Sequence, residues 1–460
     1  MLVGYLMLSN GLVCFSKTSS FAPAVEASIS NLKNANHWPN LTTAGDTNIR
    51  VRADQEILPE KPVPTRVLTN LQKEAGLLRV VSVGGSLSAG FRDGGLYREG
   101  QLTAFSNLVA RQMGAAFVQP LFSSSEGNGT GYKTVATIEP LVTYRRVVNN
   151  LGISKNGNET TYSKFEGKET LDQAAFPEVS KGLGYYNSQS SLDQSYKYID
   201  RVFTAADRAK YKRPRDWVEA QNANLFIFEL GFDDIYRAIV AGGRSISAGP
   251  FAGYETTAPE FECMKSLAAK KMKGILLNVP EVFDFPYFKQ ITDEKISKLN
   301  VKIAVQTSYR SESYRPYDAA VDHLIPTPTT EKLLRGELKG NVKLRDEDVI
   351  SQGTNTNPEL KNVSPVAYNT FEIARESRKL GWPVVDLYGL YKAVLAGNYL
   401  THDGVLVNPA WPNGGNFFSA DGIYPTAFGQ AVIANEVIKT LNKHYGLAIP
   451  LVQTKFFLKK

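Results

Sequence analysis

The chain has little of several residues on which common protein classes depend. Among its 460 residues are two cysteines and four histidines. Two cysteines cannot form the disulfide framework of a small secreted protein, and four histidines leave few candidates for a general base. The phosphate-binding Gly-Lys-Ser/Thr motif and the dinucleotide-binding glycine motif are missing. The sequence therefore predicts no cofactor.

Long runs of one chemical character are scarce as well. The formal net charge of +7 is spread over the chain without a block of like charges, which predicts a solvated, slightly basic surface. No zinc-finger spacing, RNP-like stretch or basic helix indicates nucleic-acid binding. Hydrophobic residues make up 43% of the sequence, which is enough for a large core.

The chain begins with an apolar stretch from Met1 to Val13, which is followed by Cys14. It is shorter than the roughly 20 residues that cross a membrane, but it fits the apolar region of an export signal. A cysteine at this point predicts an outer-membrane-associated lipoprotein with an export signal at 1–14, in which the residues before Cys14 are removed and Cys14 carries the lipid. No Lys or Arg precedes the apolar run, and 10–13 is a poor lipobox, so another export route and a cytoplasmic location stay open. Cys263 lies in a helical pattern and is interpreted as a buried structural thiol.

Strand and helix patterns alternate from about residue 76 to residue 450, between a Ser-, Asn- and Pro-rich linker at 15–75 and a tail at 451–460. Such alternation predicts an α/β domain in which helices cover both faces of a mostly parallel sheet, a three-layer α/β/α architecture of the flavodoxin-like kind. Strands are predicted at 77–83, 225–230, 274–279 and 383–387, and helices at 105–113, 264–272, 365–374 and 433–441.

Two long stretches interrupt this alternation, at about 115–220 and 285–360. Both are rich in Tyr, Ser, Asn, Lys and Gly, and both are too long for plain loops. We interpret them as insertions that decorate the α/β domain near the ends of its strands, where such sheets bind ligands.

Three short segments carry side chains suited to chemistry. Segment 83–91, Val-Gly-Gly-Ser-Leu-Ser-Ala-Gly-Phe, follows the first strand and can present Ser86 and a backbone N–H at the sheet edge. Segment 229–234, Glu-Leu-Gly-Phe-Asp-Asp, follows another strand, and segment 421–430 begins Asp-Gly-Ile-Tyr-Pro and leads into the last helix. Taken singly, each is also explained by an ordinary turn or helix start.

In this order, the three segments resemble the blocks of the SGNH/GDSL hydrolase family, and the flanking residues resemble exported Bacteroidetes lipoproteins of that family. The resemblance covers about residues 75–450. It implies that Ser86 corresponds to the nucleophile and Asp421 to the acid that orients the base. It also implies that Gly85 and Gly231 belong to the oxyanion region, where backbone and Asn donors stabilise the tetrahedral intermediate.

The sequence departs from the family at the catalytic positions. Gly85 replaces the Asp before the serine, Asp233 replaces the oxyanion Asn, and Tyr424 replaces the catalytic His. A carboxylate opposes a developing oxyanion, and tyrosine is a poor base near neutral pH because its ordinary pKa is near 10. The second glycine block aligns with 177–181, which contains no glycine, although Gly182 and Gly184 lie close by.

These departures favour a non-catalytic protein that serves as a subunit or binding module of an outer-membrane assembly. The alternative is a serine ester hydrolase, of the esterase, lipase or carbohydrate deacetylase type, that uses Ser86 with Asp421 and either His402 or Tyr424. A small-molecule or glycan ester is expected only in that case. A third reading is a carbohydrate-binding surface protein without protein partners. Asp233, Asp234 and Asp421 carry carboxylate oxygens of the kind that bind Ca²⁺ or Mg²⁺, but helix capping and packing explain these residues more simply, and we predict no metal.

Overall fold

The computed structural model describes residues 47–49, 58, 71, 78–156, 159–167, 169–179, 183, 195–240, 242, 259–307, 311–351 and 365–458. The export signal at 1–14 with Cys14, most of the 15–75 segment, and His37 lie outside the described residues.

The centre of the fold is a parallel sheet whose strands are numbered here in chain order. They are β1 (Val80–Gly84), β2 (Gln173–Ala175), β3 (Leu225–Glu229), β4 (Lys273–Leu277) and β5 (Val384–Val385). Their spatial order is β2-β1-β3-β4-β5, and each neighbouring pair is parallel. This order is that of a flavodoxin-like doubly wound sheet, so the prediction of an α/β fold with a parallel sheet is confirmed.

The central strands are buried along nearly their whole length. Every residue of β1 and β3 is buried, as expected for strands that helices cover on both faces. The apolar, β-branched and aromatic residues of these runs explain why they form strands and not exposed loops. Glu229, at the end of β3, differs from the other residues of that strand. It is a carboxylic acid, yet it is only 3% exposed.

Helices pack around this sheet in two groups. Phe105–Gln112 contacts the last helix, Ala427–Tyr445, whereas Pro259–Ala269 contacts Pro214–Glu219 and Ala374–Leu380. This grouping is compatible with the predicted three-layer α/β/α arrangement. The remaining α-helices are Ser86–Ala89, Arg98–Leu102, Ser195–Asp200, Ala205–Lys210, Phe232–Val240, Asp293–Ser297, Pro328–Leu334 and Leu387–Leu395, and a π-helix spans Tyr368–Ile373.

Regular structure occupies both stretches that were interpreted as insertions. The first contains β2 itself, a strand pair at Lys133–Thr137 and Thr143–Val147 that is joined in parallel by Thr47–Ile49, and a hairpin of Ile153–Asn156 with Glu159–Tyr162. The second contains a sheet of Tyr314–Pro316, Val301–Gln306 and Gly340–Leu344, and a pair of Asp322–Leu324 with Val349–Ser351.

The second stretch has a small hydrophobic core that is separate from the main one. Its strands and the helix Pro328–Leu334 bury apolar side chains against one another, together with one residue from the first stretch, so this part of the chain is a packed module and not an extended loop. The buried members are Leu141, Ile291, Val305, Leu324, Leu333, Val342, Leu344 and Val349.

Two further expectations concern single features. Cys263 is fully buried on the helix Pro259–Ala269, and burial raises the pKa of its thiol well above the ordinary range. An unreactive, structural thiol has this environment.

In the described part of the chain, every helix is too short or too polar to cross a bilayer.

Candidate functional site

Three neighbouring strands end at the same level and bring the predicted site residues together. Gly84 of β1 pairs in register with Ala175 of β2 on one side and with Glu229 of β3 on the other. Ser86 follows β1 by two residues, and Asp233 follows β3 by four. The cluster therefore lies at the carboxyl edge of the sheet, beside the point where strand order reverses, and this is where doubly wound sheets bind ligands.

Ser86 and Asp233 are joined by two hydrogen bonds. Oδ2 of Asp233 accepts from the backbone N–H of Ser86 at 2.9 Å and from the Ser86 hydroxyl, also at 2.9 Å. Ser86 is completely buried and Asp233 is 2% exposed. One carboxylate oxygen thus takes both donors that a serine nucleophile would use, its hydroxyl proton and the backbone N–H beside it.

The Ser86 hydroxyl also accepts a hydrogen bond. The donor is the backbone N–H of Glu178, at 3.1 Å, from the segment that follows β2. Glu178 has a left-handed backbone with φ of 64°, which is an uncommon conformation for a residue with a side chain. Arg237, whose Nη1 donates to the Glu178 carbonyl oxygen at 2.5 Å, holds this turn from the other side. Ser86 Oγ is therefore fixed both as a donor and as an acceptor.

Tyr424 reaches the same carboxylate from the loop before the last helix. Its hydroxyl donates to Oδ1 of Asp233 at 3.1 Å, and its ring packs against Phe91 and Phe232 with centroid distances of 5.4 and 5.3 Å. Burial, and then the charge of Asp233, raise the pKa of Tyr424 well above 10. The phenol therefore stays protonated at neutral pH and acts as a donor, not as a base.

Asp421 shapes this loop through backbone contacts. Its Oδ1 accepts from the N–H groups of Ile423 and Tyr424 at 2.8 Å each, and its Oδ2 accepts from the N–H of Gly94 at 3.0 Å. Burial and the nearby charge of Asp93 raise the pKa of Asp421 to about 6. The side chain orients a loop, and its hydrogen bonds go to backbone groups and not to an imidazole.

A second buried carboxyl group, Glu229, lies behind the serine and was given no role from the sequence. Its Oε2 accepts from the N–H of Gly85 at 3.3 Å, from the N–H of Ser88 at 3.2 Å and from the Ser88 hydroxyl at 3.0 Å. Burial, and then the charge of Asp233, raise its pKa to about 8, so Glu229 is mostly neutral at pH 7. A single acidic residue at the end of an otherwise apolar strand was the sequence signal for it.

Burial also governs Asp233 itself. It raises the pKa of this carboxyl group to about 6, against the opposing effects of the Ser86 N–H and of the Arg237 charge. Asp233 is therefore mainly ionised at neutral pH. Asp234 forms an ion pair with Arg237 at 2.7 Å. This ion pair does not involve Ser86, Asp233 or Tyr424.

The two glycines of the predicted oxyanion region are required by close packing. A Cβ atom at Gly85 would lie 2.4 Å from Oδ2 of Asp233, so this position cannot carry the family's aspartate while Asp233 keeps its place. Gly231 has a φ of +102°, and a Cβ atom there would lie 3.0 Å from the ring of Tyr368. The N–H of Gly85 already donates to Glu229.

The described histidines lie elsewhere. The ring nitrogens of His402 are 3.4 Å from the side-chain amides of Asn435 and Gln453, and Asp403 is 3.8 Å away. The ring of His323 packs edge-on against Phe283, and His444 contacts the carbonyl oxygen of Gly381. Among the described residues, no histidine hydrogen-bonds to Ser86.

In the ranges that the structure describes, no group of three or more His, Cys, Asp or Glu side chains is placed to hold a metal ion.

Comparisons of the chain with protein-family models, with curated proteins and with solved structures found no match. The site itself is a closed hydrogen-bond cluster of Ser86, Asp233 and Tyr424.

Proposed function

We propose that this chain is a non-catalytic protein with an SGNH-hydrolase-like fold, exported as a lipoprotein, that acts as a subunit or binding module of an outer-membrane protein assembly. The observation that carries the loss of catalysis is the position of the Asp233 carboxylate. Its Oδ2 accepts both the N–H and the hydroxyl of Ser86, at 2.9 Å each.

The chemistry of ester hydrolysis explains why this contact is decisive. The tetrahedral intermediate carries a negative oxygen, which hydrogen-bond donors have to stabilise, and losing one such donor typically costs about 10²–10³ in rate. Here the Ser86 N–H is taken by a carboxylate of the protein itself, and that carboxylate would repel the intermediate. An activated serine also needs a base that accepts its proton and then gives it to the leaving group.

The arrangement of the cluster supports the resemblance to the family. The three segments that resemble its blocks are far apart in the sequence, yet Ser86, Asp233 and Tyr424 meet in one hydrogen-bonded group. They do so at the carboxyl edge of a sheet with the strand order β2-β1-β3-β4-β5. A catalytic framework whose base and oxyanion Asn have been replaced would keep this convergence.

An ester-hydrolysis assay tests the loss of activity. Purified full-length protein is incubated with short-chain p-nitrophenyl esters and with acetylated sugars, beside Ser86→Ala as the matched control. We expect the two proteins to give the same background rate. Hydrolysis that disappears in Ser86→Ala would overturn the proposal.

The second candidate is a serine ester hydrolase, and one observation favours it. Asp233 is a carboxylate with a pKa raised to about 6, and it lies 2.9 Å from the Ser86 hydroxyl, within reach for a general base. Against it, the same oxygen blocks the oxyanion donor. Tyr424 is a donor to Asp233, and His402 contacts other residues. The assay above separates the two candidates.

The partner role has a candidate surface in a hairpin before the last helix. Leu400 and Leu406 face each other in an antiparallel bridge and are 61% and 57% exposed. Directly opposed residues of an antiparallel pair point to the same face, so the two leucines form one apolar patch. Such a patch is suited to a protein partner.

Co-purification from detergent-solubilised membranes tests the partner role. We expect specific membrane proteins to accompany the wild-type chain and to be lost from Leu400→Ser/Leu406→Ser. If no membrane protein accompanies the wild type and glycans bind instead, the hypothesis of a carbohydrate-binding protein replaces that of a complex subunit.

Membrane fractionation of Cys14→Ser tests the lipid anchor. If lipid on Cys14 holds the protein at the membrane, the variant should leave the membrane fraction.

A further inference from the structure

A second buried charge, Arg201, lies apart from the Ser86 cluster. Its Nε donates to the carbonyl oxygen of Ser163 at 2.9 Å, and its Nη1 donates to the carbonyl oxygen of Pro120 at 3.0 Å. The guanidinium carbon lies 3.5 Å from the ring centroid of Phe122. Arg201 is only 3% exposed, so the cation is held by neutral groups in the interior.

The Arg201 guanidinium has one N–H group without an acceptor, and no carboxylate of the described residues pairs with it. Nη2 of Arg201 is buried and has no hydrogen-bond partner, and no carboxylate of the described residues lies within ion-pair distance of it. Burial lowers the pKa of Arg201 to about 10, so the group is still a cation at neutral pH. An unpaired charge in the interior destabilises the folded state, and a counter-charge would remove much of that cost.

Arg201 lines a small cavity beside the elements that hold Ser86. The cavity has a volume of about 10 Å³, and the polar residues among those that line it are Gln101, Gln119, Gln173, Tyr198 and Arg201. A cavity of this size admits a single small occupant, comparable to one water molecule. The side-chain amides of Gln101, Gln119 and Gln173 each use one hydrogen for a backbone carbonyl oxygen, and the second hydrogen of an amide can donate to a bound anion.

We propose that this cavity is a binding site for a small monovalent anion, with chloride as its occupant. The juxtaposition that carries the proposal is a buried guanidinium, with Nη2 lacking a hydrogen-bond partner, among the residues that line a small cavity. The anion would neutralise Arg201 and accept from Nη2.

The site would stabilise the wall behind the serine. Ala89 of the Ser86 helix and the segment Phe176-Pro177 line the same cavity. Phe176 and Pro177 directly precede Glu178, whose N–H donates to Ser86 Oγ, and Gln173 donates to the carbonyl oxygen of Ser88. The inference stands independently of whether Ser86 is catalytic.

Two measurements on full-length protein test the proposal. In the first, crystals grown in bromide are examined for anomalous scattering, and we expect a peak beside Nη2 of Arg201. In the second, thermal unfolding is followed while chloride replaces gluconate at constant ionic strength. We expect the midpoint of the wild type to rise and then saturate with chloride, as linkage requires for a ligand that binds only the folded state.

Variants separate this site from general salt effects. Arg201→Gln removes the charge and should lose the chloride dependence. Arg213→Gln removes a surface arginine that is paired with Asp216 and should keep it. The absence of a bromide peak together with a midpoint independent of chloride would mean that the cavity holds only water and would overturn the proposal. Because both measurements are made on the wild type, they decide even if Arg201→Gln fails to fold.

Discussion

The substitution Asp233→Asn offers the sharpest test of the buried carboxylate. Asparagine has nearly the same shape, its Oδ1 can accept from the Ser86 N–H and hydroxyl, and its amide can donate to the Tyr424 oxygen. What disappears is a charge that burial disfavours, since the pKa of Asp233 is raised from the ordinary 3.8 to about 6. At about 1.36 kcal/mol for each pKa unit, this change corresponds to roughly 3 kcal/mol.

The sign follows from proton binding. Between pH 4 and pH 6 the folded protein keeps the Asp233 proton while the unfolded chain has lost it, so wild-type stability falls as the pH rises through this window. Asparagine does not titrate. The free energy of unfolding of Asp233→Asn, minus that of the wild type, should therefore rise by roughly 2.4 kcal/mol from pH 4 to pH 7.

Urea unfolding at half-unit pH steps, followed by circular dichroism, measures this difference. Any pH-independent effect of the amide shifts the whole curve and leaves its slope unchanged. The control is Asp403→Asn. Burial of Asp403 is outweighed by hydrogen bonds from Thr454, Lys455 and Thr401, which lower the pKa of this group to about 2, so the control curve should be flat from pH 5 to pH 7. A flat curve for Asp233→Asn would show that burial does not raise the pKa of Asp233.

Three further predictions concern packing and charge. Gly85→Ala should cost about 2 kcal/mol in urea unfolding, since its Cβ would lie 2.4 Å from Asp233 Oδ2; an equal cost in an Asp233→Ala background would contradict the clash. Tyr424→Phe should lose about 1–2 kcal/mol, because Oδ1 of Asp233 loses a buried donor; unchanged urea stability would argue against that bond. Arg315→Met should cost about 3 kcal/mol, because Asp322, which is fully buried, accepts two hydrogen bonds of 2.6 Å from Arg315. The control Arg345→Met, which breaks an exposed 3.7 Å pair with Glu347, should cost under about 1 kcal/mol, and equal losses would contradict the argument.

The regular part of the fold could be predicted from the sequence because its signals are local. The predicted runs 77–83 and 225–230 are short, largely apolar and followed by glycine, and they contain the buried central strands Val80–Gly84 and Leu225–Glu229. The short strand Gln173–Ala175 had no such signal. Its three residues form a strand only because they pair with Ser82–Gly84, and pairing over such a separation is not written in local composition.

The candidate site could be predicted as a set of positions but not as a set of contacts. Ser86, Asp233 and Tyr424 were singled out from three segments, and the structure brings them together. That the Asp233 carboxylate accepts the Ser86 N–H depends on a hydrogen-bond direction, and the sequence does not specify directions. The role of Glu229 depends on burial that only the packed sheet creates.

We propose that the Asp233 carboxylate leaves Ser86 unreactive, since it accepts both the Ser86 N–H and the Ser86 hydroxyl. To test this, the folded, full-length protein is incubated with a fluorophosphonate that labels activated serines, and its intact mass is then measured. We expect an unmodified wild-type protein at neutral pH, with the same mass as Ser86→Ala after identical treatment. A stoichiometric adduct on Ser86 that is absent from Ser86→Ala would contradict it.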